Sequence, residues 1–426
     1  MTELNATHIQ DLWKNADSVF SYIKTLESTW PLIKHVQQAA HTIKALQPHA
    51  NTFKKFKDVI ILGTGGSSLG GQALTALATP SLYAKQTQPT LHFLDNIDST
   101  TFQSVLTHLD PSTTGVLSIS KSGNTAETLM QTLTLLQTWK TFTPKTHMRI
   151  ITEPKTNAMR EVATTYEITC IDHPLDVGGR FSAFTCVALL PAMIVDIDVA
   201  AFCEGANESF LNAVNTTAET CPPLAGALMQ VAYQRQGISQ AILMAYANQL
   251  GKFCEWFAQL WAESLGKKDD SGVSVGTTPI KAIGTVDQHS QLQLYLDGPR
   301  DKFFTILTLE TQTPLSPISL PTGVMHPSIT AIANRSMGDL MIAEQKATID
   351  TLRHHDCPIR HIELTHLDAN NLGSLMMYFM LETLAAAQFW NVNPFNQPAV
   401  EEGKVLALDY LAKMTQGYTT QCVSLS

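Results

Sequence analysis

The sequence predicts an α/β protein of two doubly wound domains, each a mainly parallel sheet flanked by helices, with helical segments at both ends. Two series of short apolar runs alternating with helical patterns point to it. The chain's 426 residues are enough for two domains with separate cores. Hydrophobic residues make up 44% and charged residues 15%, a balance that favours buried cores over an extended chain.

Residues 1–48 read as a helical lead-in, because Leu12, Trp13, Val19, Phe20 and Ile23 recur at helical spacing. The first domain, 49–196, carries DVIILG from Asp58, TLHFLDN from Thr90, TGVLSIS from Thr114, MRIIT from Met148 and EITCID from Glu167 as its strands. Beyond Ala192 the pattern loosens through EGANESFLNAVNTTAETCPP, a polar helical stretch ending in Pro222 and Pro223 that is expected to cross between domains. The second domain, 197–426, resumes the alternation with AILMAY, KAIGT, FFTILTL and RHIEL. A long helix from Asn248 to Lys267 lies among these strands, and further helices close the chain.

Bulk properties remove several function classes. A formal net charge of -9 with no cluster of Lys and Arg argues against nucleic acid. A small anion stays possible, because local donors hold a phosphate whatever the total charge. The start, MTELNATHIQDLWKN, lacks a basic region followed by an apolar run, and no apolar run reaches membrane-spanning length, so a cytoplasmic protein with no membrane partner is expected. The seven cysteines, at 170, 186, 203, 221, 254, 357 and 422, are scattered without a CxxC pair. That suits a reducing compartment, argues against structural zinc, and leaves the cysteines as small core residues. Neither a metal nor a cofactor is expected.

Two turns attract attention as phosphate cradles. The first strand runs into Gly63-Thr64-Gly65-Gly66-Ser67-Ser68-Leu69-Gly70-Gly71, where glycines let backbone N–H groups approach an anion. A structural turn explains such a loop equally well. A dinucleotide site is disfavoured, since Ser68 stands at the third glycine of GxGxxG. TGVLSIS leads into Ser120-Lys121-Ser122-Gly123-Asn124-Thr125 ahead of a helix, which sets hydroxyls, a glycine and a helix N-terminus together. Here the alternative is that Ser122 or Thr125 simply caps that helix. Both turns fall at the carboxyl ends of strands, where open α/β sheets bind ligands.

Acid and base candidates come from four further segments. In Asp176-Val177-Gly178-Gly179-Arg180-Phe181-Ser182, an Arg after two glycines can meet a developing oxyanion, although a surface pair with Asp176 is the plainer reading. In FCEWFAQLWAESLGKK, Gln259 and Glu263 share a helix face near the end marked by Gly266. A carboxylate at the negative end of a helix dipole is oddly placed, which suits a base for a carbon-bound proton; an ordinary Glu263–Lys267 pair competes with that reading. Gly284-Thr285-Val286-Asp287-Gln288-His289-Ser290 sets an imidazole at a strand-to-helix junction. Phe395-Asn396-Gln397-Pro398-Ala399-Val400-Glu401-Glu402-Gly403-Lys404 enters a helix at Pro398, where Lys404 has Glu401 as a local partner. The pair His354 and His355 reads as solvated surface.

Together these segments resemble the glucose-6-phosphate isomerase family of the sugar-isomerase-domain superfamily, from about Asp58 to Leu408. GTGGSSLGG and SKSGNTAET look like its two phosphate-binding turns, and VGGRFS and FNQPAVEEGK like its two signatures. The resemblance implies two domains of the sugar-isomerase type and a metal-free aldose–ketose isomerisation through a cis-enediol(ate). Gly66, Ser67, Ser120, Lys121, Ser122 and Thr125 would surround the phosphate, with Gln259 and Gln397 also lining the pocket. Glu263 would move the proton, Arg180 would stabilise the intermediate, and His289 and Lys404 would open the sugar ring. It further implies a homodimer in which His289 comes from the neighbouring subunit. ESLGK, with Leu265 where many members carry asparagine, and the short chain point to a compact bacterial-type form. A broader isomerase that also takes mannose 6-phosphate, and a non-catalytic sugar-phosphate sensor, are the rival readings.

Overall fold

The computed structural model describes residues 6–78, 88–310, 315–320 and 322–414, with side chains from Leu12 onward. The lead-in segment is three helices, Ala6–Thr29, Pro31–Gln37 and Ala39–Phe53, the last running through Pro48. Leu12, Val19, Phe20 and Ile23 are buried as their spacing predicts, while Trp13 is 37% exposed.

The strands in chain order are β1 Asp58–Leu62, β2 Thr90–Leu94, β3 Thr114–Ile119, β4 Met148–Thr152, β5 Thr169–Asp172, β6 Gln240–Ala245, β7 Lys267–Lys268, β8 Ser274–Val275, β9 Thr278–Ile283, β10 Lys302–Leu309 and β11 Ile359–Leu364. The first five form a parallel sheet ordered β2-β1-β3-β4-β5, and β11-β10-β6-β9 form a second parallel sheet. β1, β3 and β10 are buried along their whole length, as continuous apolar runs between helix layers should be.

Chain order reverses between β1 and β3, so the loops leaving these neighbours diverge and open a crevice at their carboxyl ends. Both glycine-rich turns leave from that crevice. Register brings them together, with Leu62 opposite Ser118 on the adjacent strands.

The polar stretch expected to cross between domains is helical but is no passive link. Val199–Val214 buries Val199, Phe202, Cys203, Ala206, Phe210 and Ala213 and packs on the helix Ala369–Phe389. That second helix is long and apolar enough to cross a membrane, but 78% of its apolar window is buried inside the molecule. The helix expected over 248–267 is a single turn followed by Gly251–Leu265. It ends at Gly266, and the antiparallel hairpin β7–β8 follows, too short for a sequence pattern to reveal.

Candidate active site

The first turn is held by close approach more than by hydrogen bonds. A Cβ on Gly66 would stand 2.3 Å from the carbonyl carbon of Gly179 and 2.7 Å from the Arg180 nitrogen, so only glycine lets these two backbones touch. Ser182 Oγ closes the contact, donating to Gly66 O at 3.1 Å. Gly65, with φ +57°, faces Gln259 so closely that a Cβ there would lie 2.9 Å from its Nε2. The GTGGSS turn therefore abuts both the VGGRFS segment and the helix that carries Glu263.

In the second turn Ser120 Oγ donates to Thr125 Oγ1 at 3.0 Å, and Ser122 Oγ accepts from Asn124 N at 3.2 Å. Thr125 is the N-cap residue of the helix Ala126–Thr138, yet its side chain makes no capping bond. The capping alternative thus does not account for these hydroxyls. Ser122 is exposed and Thr125 half-buried at the mouth of the crevice. Lys121 lies 3.6 Å from the buried carboxylate of Glu153, which also pairs with Lys155.

Arg180 is the hub. Its side chain is 4% exposed, and each of its five N–H groups has an acceptor. Nε donates to Ser264 Oγ at 2.9 Å, and Nη1 donates to Glu263 Oε2 and Gln397 Oε1, both at 3.0 Å. Nη2 donates to the Pro394 carbonyl and, at 3.0 Å, to that of Asn396. Burial pushes the guanidinium's pKa down, and the Glu263 carboxylate counters that push. Phe395 caps the arrangement, its ring 5.5 Å from that of Phe181.

Glu263 sits in the last turn of Gly251–Leu265 and is partly exposed. Its Oε1 accepts from Gln259 Nε2 at 3.0 Å. The two local alternatives fail for one reason. Asp176 turns instead to His35, at 3.4 Å, and Lys267 donates to the Asn393 carbonyl. A buried guanidinium needs five acceptors and an anion more than either exposed pair needs its partner. A carboxylate, a fixed cation and the first hydroxyl-rich turn thus come together from segments far apart in the chain, and the second turn leaves the adjacent strand. That set can bind a phosphate, take a proton from carbon and hold the resulting oxyanion.

The phosphoglucose isomerase family profile matches residues 15–423. The chain belongs to that family. It is 34% identical over 355 residues to the glucose-6-phosphate isomerase of Rubrobacter xylanophilus, covering 82% of this chain and 81% of that one. It is 33% identical to a Thermus thermophilus enzyme of the same name, covering 84% of each. Among solved structures, a hypothetical protein from Thermus thermophilus superposes with a TM-score of 0.86 at 28% identity, covering 96% of this chain and 99% of that one. A glucose-6-phosphate isomerase from Chlamydia trachomatis shares the fold, with a TM-score of 0.75 at 20% identity, covering 89% of this chain and 75% of that one.

Two sequence candidates of this phosphoglucose isomerase family member stand outside the cluster. His289 is exposed on the short helix Val286–Ser290. Its neighbours are fixed: Gln288 Oε1 accepts from Tyr246 Oη at 2.9 Å and from Thr348 Oγ1 at 3.1 Å, and Asp287 Oδ2 accepts from Ile283 N at 2.7 Å. Lys404 pairs with Glu401 at 2.7 Å on an exposed helix, the local partner its spacing suggested. Among the described residues neither shares a hydrogen bond or ion pair with Arg180, Glu263 or Gln259.

Sequence reasoning passed over Ser264, Glu153 and the carbonyls of Asn393, Pro394 and Asn396, and it saw Lys267 only as a surface partner for Glu263. Glu153 carried a signal, because it directly follows the MRIIT strand and its N–H donates to the Lys121 carbonyl of the second turn. Backbone carbonyls carry none.

Proposed function

We propose that this chain interconverts glucose 6-phosphate and fructose 6-phosphate, with Glu263 as the base and Arg180 as its electrostatic partner. The phosphate sits between Gly66 and Ser67 of the first turn and Ser120, Lys121, Ser122 and Thr125 of the second, with Gln259 and Gln397 lining the sugar. Glu263 takes the C2 proton of the open-chain aldose, the C2–H electrons form a C1=C2 double bond, and the carbonyl pair moves onto O1. The O2 hydrogen passes to O1, the O2 pair forms the C2=O2 carbonyl, and the C1=C2 pair takes the proton back from Glu263 at C1, which gives the ketose with no net gain or loss of protons. Arg180 is saturated by protein acceptors, so the enediolate oxygen must displace one of them; Gln397 shares Nη1 with Glu263 and is the neutral one to give way.

His289 and Lys404 open the ring, and His289 comes from a second copy of the chain in a homodimer. The helix Glu401–Lys413 supports that assembly: Val405 is 67%, Leu408 60% and Tyr410 62% exposed, a cost in apolar hydration that a second copy would remove. Free thiols at all six described cysteines suit the cytoplasm. The 49–196 and 197–426 division into two sugar-isomerase-type domains belongs to the same reading, each half holding one parallel sheet.

The observation that carries the proposal is the 3.0 Å contact of buried Arg180 with Glu263, beside the first turn. A coupled assay of fructose 6-phosphate to glucose 6-phosphate, run with and without chelator, tests it. Turnover unaffected by chelator is expected, and an inactive chain would refute it. Parallel assays on mannose 6-phosphate settle how broad the pocket is.

A further inference from the structure

The loop that follows the helix Ala369–Phe389 passes beside Glu263, and cations take three of its carbonyls. Arg180 takes those of Pro394 and Asn396, and Lys267 takes that of Asn393. Asn391 adds a bond to Asp270, and Asn393 Oδ1 accepts from Phe395 N at 2.9 Å. The loop then delivers Gln397 to Arg180.

Lys267 reaches this position because Gly266 ends the helix and Lys267 pairs with Val275 in the hairpin. Side chains alternate along a strand, so Lys268 faces outward while Lys267 is half-buried toward the loop. An ammonium prefers bulk water, and holding one against a carbonyl beside a second cation costs solvation. Arg180 and Lys267 carry two positive charges where Glu263 carries one negative. That surplus lies where an enediolate would gather charge.

We propose that Lys267 is a positioning residue for isomerisation: its charged ammonium fastens the 393–397 loop, whose Pro394 and Asn396 carbonyls hold Arg180 against Glu263. This rests on the roles given above to Glu263 and Arg180. The charged groups facing it are Arg180 and Glu263; the 393–397 loop contributes carbonyls, β8 contributes no titratable group, and Asp270 in the hairpin turn is engaged by Asn391. Half-burial, then the Arg180 charge, push the ammonium down to about 8, against the pull of Glu263. The charge is therefore present below that value and lost as pH rises through it.

The test measures kcat against pH for wild type, Lys267→Arg and Lys267→Met on fructose 6-phosphate, with a thermal midpoint for each protein. Wild type should lose turnover on an alkaline limb centred near 8. Lys267→Arg keeps a charge at all accessible pH and should lack that limb, and Lys267→Met should turn over at least about tenfold slower throughout. A Lys267→Arg profile superimposed on wild type overturns the inference, as does a folded Lys267→Met within about twofold of wild type at every pH. Should Lys267→Met fail to fold, the arginine profile decides alone. A wild type inactive on both sugar phosphates removes the underlying reading and this inference with it, whereas an active wild type with an unshifted arginine profile removes only the inference.

Discussion

Replacing Glu263 with glutamine removes the proposed base while leaving a group of nearly the same shape. The carboxylate now accepts from Arg180 Nη1 through one oxygen and from Gln259 Nε2 through the other, both at 3.0 Å. A glutamine can serve only Arg180 and must offer N–H groups toward Gln259. Gln259 can answer, because its buried Oε1 has no hydrogen-bond partner among the described residues, and an amide flip would point it at the new donor. The hydrogen-bond count survives, and what is lost is the anion beside a buried cation. Removing one member of a buried pair costs about 3–5 kcal/mol. Glu263 is 34% exposed, so solvent screening should hold the loss to roughly 1–2 kcal/mol. The chemical step loses far more: general-base catalysis is worth about 10² to 10⁴ in rate, or roughly 2.7–5.4 kcal/mol of barrier. Initial rates in the coupled assay, binding of sugar phosphate by calorimetry and a thermal melt separate these quantities. Turnover should collapse with binding nearly intact. A folded Glu263→Gln within about tenfold of wild type would take Glu263 out of its role.

Three further substitutions probe other parts of the molecule. Ser120→Ala removes a hydroxyl from the second turn, and KM should rise about fivefold, equivalent to about 1 kcal/mol, with kcat nearly unchanged in steady-state assays; a selective fall in kcat would contradict the phosphate assignment. Glu382→Ala strips the buried Arg360 of a carboxylate 2.6 Å from its Nη1, and chemical unfolding should show a loss of about 3–5 kcal/mol. His173 is fully buried and held neutral, its pKa pushed down to about 4 chiefly by burial. Between its ordinary value of 6.5 and that figure only the unfolded chain takes up the proton, so stability should fall with pH across that window by up to roughly 3 kcal/mol. Stability against pH should be flatter for His173→Gln there, and parallel curves would refute the assignment.

What could be read from the sequence was local. Strand–turn–helix units follow from runs of apolar residues and the glycines after them, and Gln259 and Glu263 share a face by spacing alone. Pairings were legible only where both partners were near in sequence and exposed. Glu401 with Lys404 forms as its spacing suggests because neither side chain has anything better to do. Asp176 with Arg180 and Glu263 with Lys267 satisfy the same arithmetic and do not form. Packing of Gly66 on Gly179 draws Arg180 under the 393–397 loop, out of water, where a carboxylate, a serine hydroxyl and carbonyls receive it. Ser264 was invisible because a helical serine usually bonds its own backbone; here it is an acceptor aimed at a guanidinium 84 residues away.

The arrangement also divides the labour between the two sheets. Both hydroxyl-rich turns hang from the carboxyl ends of β1 and β3, so the first sheet sets where each begins. Gln259, Glu263, Ser264 and Lys267 are set by the helix and hairpin that follow β6, in the second sheet's half. Arg180 follows β5 of the first half but spends all five donors on the second and on the C-terminal loop. The distance of Glu263 from the turns therefore depends on the Arg180 guanidinium, on the Gly66–Gly179 contact and on the packing of Gly65 against Gln259. Side chains in the turns can be trimmed with the base still in register, which is why Ser120 should act on affinity. A change that loosens Arg180 frees the carboxylate that it holds, so under the proposed mechanism it should register in turnover with affinity for the phosphate kept.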